Sequence, residues 1–263
     1  MDLGLRDAHV LVTAASSGLG AATARRFSLE GARVVINSRD ESRLQATAKA
    51  IEAASGNPVM TYAADVTDPE AVQRLIAYTV DTLGGLDVLV TNAGGPPSGV
   101  FDDFTPGDWE AAARLTLVST VSLIQAALPH LRQSKQAAIL TINSIAARQP
   151  VANLTLSNTL RPAVAGLTKT LSLELAGDGI RVNGILPGIT GTERVRYLME
   201  SRAAKNGTTV EMEYAAAAQS IPLGRIGTPD EFANAAVFLC SPAAGFMTGV
   251  SLPVDGGGTV ATL

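Results

Sequence analysis

Short runs of uninterrupted apolar residues, each followed by a longer segment with helical spacing, recur along this chain. HVLVTA at 9–14 leads into GLGAATARRFSLEG at 18–31, and RVVINS at 33–38 leads into ESRLQATAKAIEAAS at 41–55. A third strand lies within 58–66, followed by a helix over 68–84 with Asp68 as N-cap and Pro69 at its first position. The strand at 86–94 precedes a long helix within 105–134, and the strand at 137–144 precedes a helix over 154–177. A strand at 180–188, a helix at 228–242 and a strand at 249–257 complete the series. Strands that are apolar on both faces need cover on both faces, and strands joined through helices run parallel. The expected fold is therefore α/β. It is a single doubly wound, Rossmann-type parallel sheet of seven strands with helices on both faces, in one domain over 1–263.

Two stretches depart from this rhythm. Residues 189–227 are polar and Ala-rich and follow a strand's carboxyl end, the place for a lid over a substrate. Pro162 falls inside the helix at 154–177, so that helix either kinks there or begins late. A kink would re-aim Arg161.

Composition narrows the function. The chain is 46% hydrophobic and 17% charged, enough apolar material for a large core, with net charge −4. No Lys/Arg-rich run points to nucleic acid. No apolar run approaches the ~20 residues of a membrane span, and the N-terminus lacks the basic segment of a signal peptide. A cytoplasmic location is expected. The lone Cys240 is read as a core residue, and His9 and His130 as structural.

The turn TAASSGLG (Thr13, Ser16, Ser17, Gly18, Leu19 and Gly20 among its residues) joins the first strand to the first helix. Glycines there let backbone approach a pyrophosphate, and a helix start offers free N–H groups. A tight turn alone explains the same residues. Its context is more specific: DV at 65–66, TNAG at 91–94, LPGITGTE at 186–193 and VDGGG at 254–258 each end a strand.

This ordered set resembles the short-chain dehydrogenase/reductase family over essentially the whole length, in layout its 3-oxoacyl-carrier-protein reductase branch. The family's turn reads Thr-Gly-x-x-x-Gly-x-Gly, and its first glycine is Ala14 here. The resemblance implies that Asp65 and Val66 flank an adenine and that Asn92, Ala93 and Gly94 line the cofactor cleft. It implies that Pro187, Gly188, Ile189 and Thr192 hold the nicotinamide end. Family members that prefer NAD carry an acid at the end of the second strand. Ser38 and Arg39 stand there, and a hydroxyl with a guanidinium accepts a 2′-phosphate, so NADP(H) is favoured over NAD(H). The plainer reading of Arg39 is an exposed residue paired with Asp40.

The resemblance also places the catalytic set. The serine that polarises a carbonyl falls at Ser144, the tyrosine at Ser157, the lysine at Arg161 and the asparagine at Thr116. An alkyl hydroxyl is a far weaker acid than a phenol with its pKa of about 10, and arginine stays charged. Arg161 can still grip the cofactor's ribose and place charge beside an alkoxide. Tyr197 and Tyr214 in the lid are alternative proton donors, and Arg148 is a candidate for an anionic substrate tail. Lys169 is expected in solvent.

These residues leave two main readings. One is an NADP(H)-dependent carbonyl or 3-oxoacyl reductase-like enzyme with a Ser-Ser-Arg site acting on a small carbonyl or hydroxyl compound. The other is an NADP(H)-binding sensor or structural subunit without reductase activity. A lyase or isomerase step on the same cleft has no positive support. The resemblance also implies a homotetramer or homodimer, paired through the helices at 108–131 and 154–177 and through the C-terminal strand.

Overall fold

Strand formation follows the apolar runs directly. In the computed structural model, which describes residues 2–262, the strands are β1 (His9–Val12), β2 (Arg33–Ser38), β3 (Val59–Ala63), β4 (Val88–Thr91), β5 (Ala138–Ile142), β6 (Arg181–Pro187) and β7 (Ser251–Val254). Met1 and Leu263, the ends of the expected domain, lie outside the described residues. All seven strands pair in parallel, in the order β3-β2-β1-β4-β5-β6-β7. The order reverses between β1 and β4, so the carboxyl ends of these two strands open a crevice.

The helices α1 (Gly18–Leu29), α2 (Glu41–Ser55), α3 (Pro69–Leu83), α4 (Pro106–Ala113), α5 (Ser119–Leu131), α6 (Thr155–Glu174) and α9 (Pro229–Cys240) cover the two faces. On one face Phe27 of α1 and Phe232 of α9 are fully buried with Val10, Val34 and Leu140 of the sheet. Burying each such ring contributes about 1.5–3 kcal/mol. On the other face Leu75 and Ile76 of α3 and Leu123 of α5 pack on Leu11, Val35 and Leu89.

Two sequence expectations change. Segment 189–227, whose secondary structure the sequence left open, holds α7 (Glu193–Asn206) and α8 (Val210–Gln219), capped by Thr192 and Thr209. The polar helices escaped a search for apolar stripes because little of them packs on the core. Helix α6 runs unbroken from Thr155 through Pro162, so it does not begin late. Finally, α4, a π-helical turn (Arg114–Val118) and α5 join into one continuous helix. At 26 residues, with mean hydropathy 1.5 over its best window, it is long and apolar enough to cross a membrane, against the sequence expectation. Its apolar side is nonetheless the core side, where Leu123, Ile124, Ala127 and Leu131 are buried against the sheet.

Candidate active site

The crevice is built outward from the end of β1. Thr13 is fully buried; its backbone N–H donates to the Val90 carbonyl (3.1 Å). Its hydroxyl donates to the Asn92 carbonyl (2.7 Å) and accepts the Asn92 N–H (2.8 Å). The Asn92 amide in turn donates to the Ala14 carbonyl (3.2 Å). Asn92 therefore braces the turn against β4, while Ala93 and Gly94 follow it along the crevice wall. A Cβ added at Gly94 would meet no protein atom within 4 Å.

Inside the turn Ala14 adopts φ +47° and Gly18 φ +58°. The first is the position of the family's missing glycine, and a Cβ there is strained. Ala14→Gly relieves that strain at the cost of a more flexible unfolded chain. The expected net gain is about 0.5–1 kcal/mol, a rise in Tm of roughly 1–4 °C. A thermal melt showing no rise would refute the strain. Gly20 has no latitude, since a Cβ would sit 2.5 Å from the Ala14 carbonyl oxygen.

Ser17 is the N-cap of α1 but makes no side-chain capping bond, whereas Asp40 and Asp68 cap α2 and α3. The first-turn N–H groups of α1, beside Ser16, Leu19 and the two glycines, are left to an external anion. Unspent donors at a glycine turn fit a dinucleotide pyrophosphate.

At the end of β2, Ser38 is buried and its hydroxyl donates to the Asp40 carbonyl (3.2 Å). The anticipated Arg39–Asp40 pair is not formed. Asp40 is occupied as a cap by the Arg43 N–H (3.0 Å) and the Ser42 hydroxyl, which hold its carboxyl below the usual range. Arg39 lies 3.8 Å from Asp65 instead, with its side chain 76% exposed. Asp65 also accepts from the Thr67 N–H and hydroxyl, and Val66 is buried.

On the far side, Pro187 ends β6 and the Gly188 N–H donates to the Val254 carbonyl (3.0 Å). Any Cβ on Gly188 would lie 2.6 Å from that of Asp255. The Ile189 carbonyl accepts the Gly227 N–H (3.1 Å). The next contacts fasten the segment 189–227 across the crevice. The Thr192 side chain lies beside Gly18, Glu193 pairs with Arg43 (2.6 Å), and Arg194 donates to the Pro96 carbonyl (3.2 Å). Sequence reading missed Arg43, Glu193 and Arg194, because nothing local to either partner signals a contact across the crevice.

The chemical end lies where β5 meets α6. The Ser144 hydroxyl accepts the Ala146 N–H (3.1 Å). Ser157, one turn before Arg161 on the same helix face, is buried. Arg161 donates through Nη1 to the Ile142 carbonyl at 3.4 Å and pairs with no carboxylate among the described residues. Burial brings its pKa down to about 10, so it remains cationic at neutral pH. Thr116 lies in the π-helical turn, a distortion frequent at functional sites, and its buried hydroxyl has no partner. A fourth residue that sequence reading missed is Asn143, whose amide donates to the Arg161 carbonyl (3.0 Å).

Other candidates lie elsewhere. Tyr197 is 61% exposed on α7, and Tyr214 is half-buried on α8. Arg148 donates to the Ser251 carbonyl (2.9 Å) at the β7 edge. His9 sits at the amino edge, 3.6 Å from Asp87, and Lys169 is exposed.

Comparison with known proteins agrees with this architecture. Residues 13–259 match the family model described as enoyl-(acyl carrier protein) reductase. The chain is 36% identical to the short-chain reductase protein NovJ of Streptomyces niveus, over 96% of this chain and 94% of that one. It is 31% identical to the 3-oxoacyl-[acyl-carrier-protein] reductase FabG of Thermotoga maritima, over 94% and 96%. The crystal structure of L-sorbose reductase from Gluconobacter frateurii, complexed with NADPH and L-sorbose, superposes with a TM-score of 0.95 at 32% identity, covering 99% of this chain and 100% of that one. An apo short-chain oxidoreductase from Pseudomonas aeruginosa PAO1, described as containing an atypical catalytic center, superposes at 0.90 with 32% identity, covering 99% of each chain.

Proposed function

The chain belongs to the short-chain dehydrogenase/reductase family of oxidoreductases, and we propose that it is an NADP(H)-dependent member acting on a small carbonyl or hydroxyl compound through a Ser-Ser-Arg site. The observation that carries the coenzyme choice is the end of β2. Ser38 and Arg39 stand there in place of an acid, and the Arg39 side chain, 76% exposed, offers its guanidinium to a 2′-phosphate. The NADPH bound to L-sorbose reductase supports the same choice.

In this reading the α1 amides, with Thr13, Ser16 and Ser17 around them, take the pyrophosphate. Asp65 and Val66 flank the adenine, Asn92, Ala93 and Gly94 wall the cleft, and Pro187, Gly188, Ile189 and Thr192 take the nicotinamide end. The coenzyme supplies the hydride equivalent. Ser144 orients and polarises the carbonyl, while Arg161 holds ribose hydroxyls and offsets charge developing on oxygen. Fixed donors of that kind can be worth ~2.7–4 kcal/mol each. Ser157 and Thr116 are too weakly acidic to deliver a proton unaided, so a water held by Ser144, Ser157 and Arg161 is the proton source. The lid, 189–227, closes over the substrate in a single domain. A homodimer or homotetramer forms through α5 and α6, where Val118, next to α5, and Leu173 are 47% and 70% exposed. The expected compartment is the cytoplasm. The loss of all three of tyrosine, lysine and asparagine favours one alternative, a coenzyme-binding protein without reductase activity.

Titration calorimetry with NADPH and NADH tests the coenzyme assignment. Tighter NADPH binding is expected, and Arg39→Asp should weaken it by at least about tenfold, a loss of ~1.4 kcal/mol, with less effect on NADH. Equal affinity for both coenzymes in the native protein would remove the 2′-phosphate assignment.

A further inference from the structure

Arg161 sits at a weak point of its helix and is held from outside it. Pro162 has no N–H, so the Asn158 carbonyl loses its ladder bond just where the guanidinium departs. Asn143, just past β5, holds the neighbouring residue from outside the helix: its Nδ2 donates to the Arg161 carbonyl at 3.0 Å. Asn143 is itself fixed, being 4% exposed, with its own N–H on the Ile185 carbonyl (2.9 Å). The adjacent Ile142 carbonyl accepts the Arg161 guanidinium, so two consecutive residues of one strand end grip both ends of the arginine.

A second observation concerns charge. The Asn143 Oδ1 and the Arg161 Nε are both buried and without partners, a complementary acceptor and donor on residues already joined through the backbone. The remaining residues of the proposed catalytic set, Thr116, Ser144 and Ser157, are neutral. A carboxylate at position 143 would reproduce the amide's shape and cancel the cation; an amide holds the arginine without cancelling it.

We propose that Asn143 is a positioning residue for Arg161, which fixes the guanidinium in the reaction site and, being neutral, leaves its charge uncompensated. The uncompensated charge sets a preference of the site for the uncharged reduced nicotinamide over the cationic oxidised one. This rests on the coenzyme reading above, in which Arg161 serves the nicotinamide ribose.

The test is calorimetric and needs no turnover. Dissociation constants for NADPH and NADP+ are measured on the full chain and on Asn143→Asp, Asn143→Ser and Arg161→Met. Asn143→Asp should lower the ratio of oxidised to reduced dissociation constants roughly tenfold, as expected when one charge near another is offset in a partly buried site. Arg161→Met should move the ratio the same way. Asn143→Ser, which removes the tether but adds no charge, should weaken both coenzymes while keeping the ratio within about twofold of the native value. A native ratio in Asn143→Asp that melts normally overturns the proposal. If that variant fails to fold, an unchanged ratio in Arg161→Met overturns it equally. Failure of the native protein to bind either coenzyme would instead sink the coenzyme reading.

Discussion

The double exchange Ser157→Tyr with Arg161→Lys should raise NADPH-dependent carbonyl reduction by roughly 10²–10⁴-fold, the usual worth of general acid–base assistance. Both positions lie on α6, one turn apart, and Ser144 is already in place at the end of β5. The exchange supplies a phenol with a pKa of about 10 and an amine that lowers it, where the native chain offers an alkyl hydroxyl and a fixed cation. The pH profile provides an independent sign. A tyrosine acid must be protonated to act, so the variant's rate should fall as pH rises through the lowered phenol pKa. The native rate should show no such limb, because Arg161 stays charged until the pH reaches about 10. Steady-state rates with a panel of ketones check both statements. Ser157 is buried, so each single exchange should be compared for coenzyme binding and melting. A doubly exchanged protein that binds NADPH yet turns over nothing would show that the scaffold cannot carry the reaction. A double exchange that lowers an existing activity would show that the native residues run a mechanism of their own.

Arg181→Met should cost about 2–6 kcal/mol, a fall in Tm of roughly 4–24 °C for a chain of this size. The guanidinium donates to the carbonyls of Leu239 (2.6 Å), Cys240 (2.7 Å), Ser241 (3.1 Å) and Ala244 (3.3 Å). Leu239 and Cys240 belong to the last turn of α9, whose carbonyls have no partner within the helix. Burial lowers the Arg181 pKa from its ordinary value, and it pushes the Cys240 thiol up to about 12. The thiol is thus neutral at physiological pH, and the carbonyls are the groups that hold the charge. Methionine fills similar space but leaves the Leu239 and Cys240 carbonyls without their donor, while those of Ser241 and Ala244 keep the N–H groups of Ala244 and Met247. Thermal and urea melts measure the effect; a loss under about 1 kcal/mol would mean that water replaces the guanidinium. Arg181→Lys should fall between, since one ammonium cannot reach four acceptors.

The strands were legible because a buried parallel strand has to be apolar on both faces, a property carried by consecutive residues such as Val34, Val35 and Ile36. Caps were legible for the same local reason: Asp68 and Pro69 do what their chemistry favours. The glycine turn was legible, and the structure adds that Ala14 takes the left-handed conformation vacated by its missing glycine. Helices α7 and α8 were not legible, since they bury few side chains and carry no apolar stripe to betray them. Nor was the π-helical turn at Thr116, which shifts the backbone hydrogen-bond register without any local mark such as Pro or Gly.

The sequence by itself determined the seven-stranded parallel fold and the identity of the residues that replace a phenol and an amine. Those depend on hydrophobic spacing and side-chain chemistry, which are properties of each residue and its near neighbours. Only the tertiary structure decided which groups are already occupied. Asp40 is committed to a helix cap, Asn92 to the turn and Asn143 to the Arg161 backbone, while the Arg161 guanidinium is left without a counter-ion. Asn92, Asn143 and Arg161 bond to groups far away in sequence, and burial sets the strength of a charge through the dielectric around it. Neither a distant partner nor the dielectric is written into any local stretch of chain.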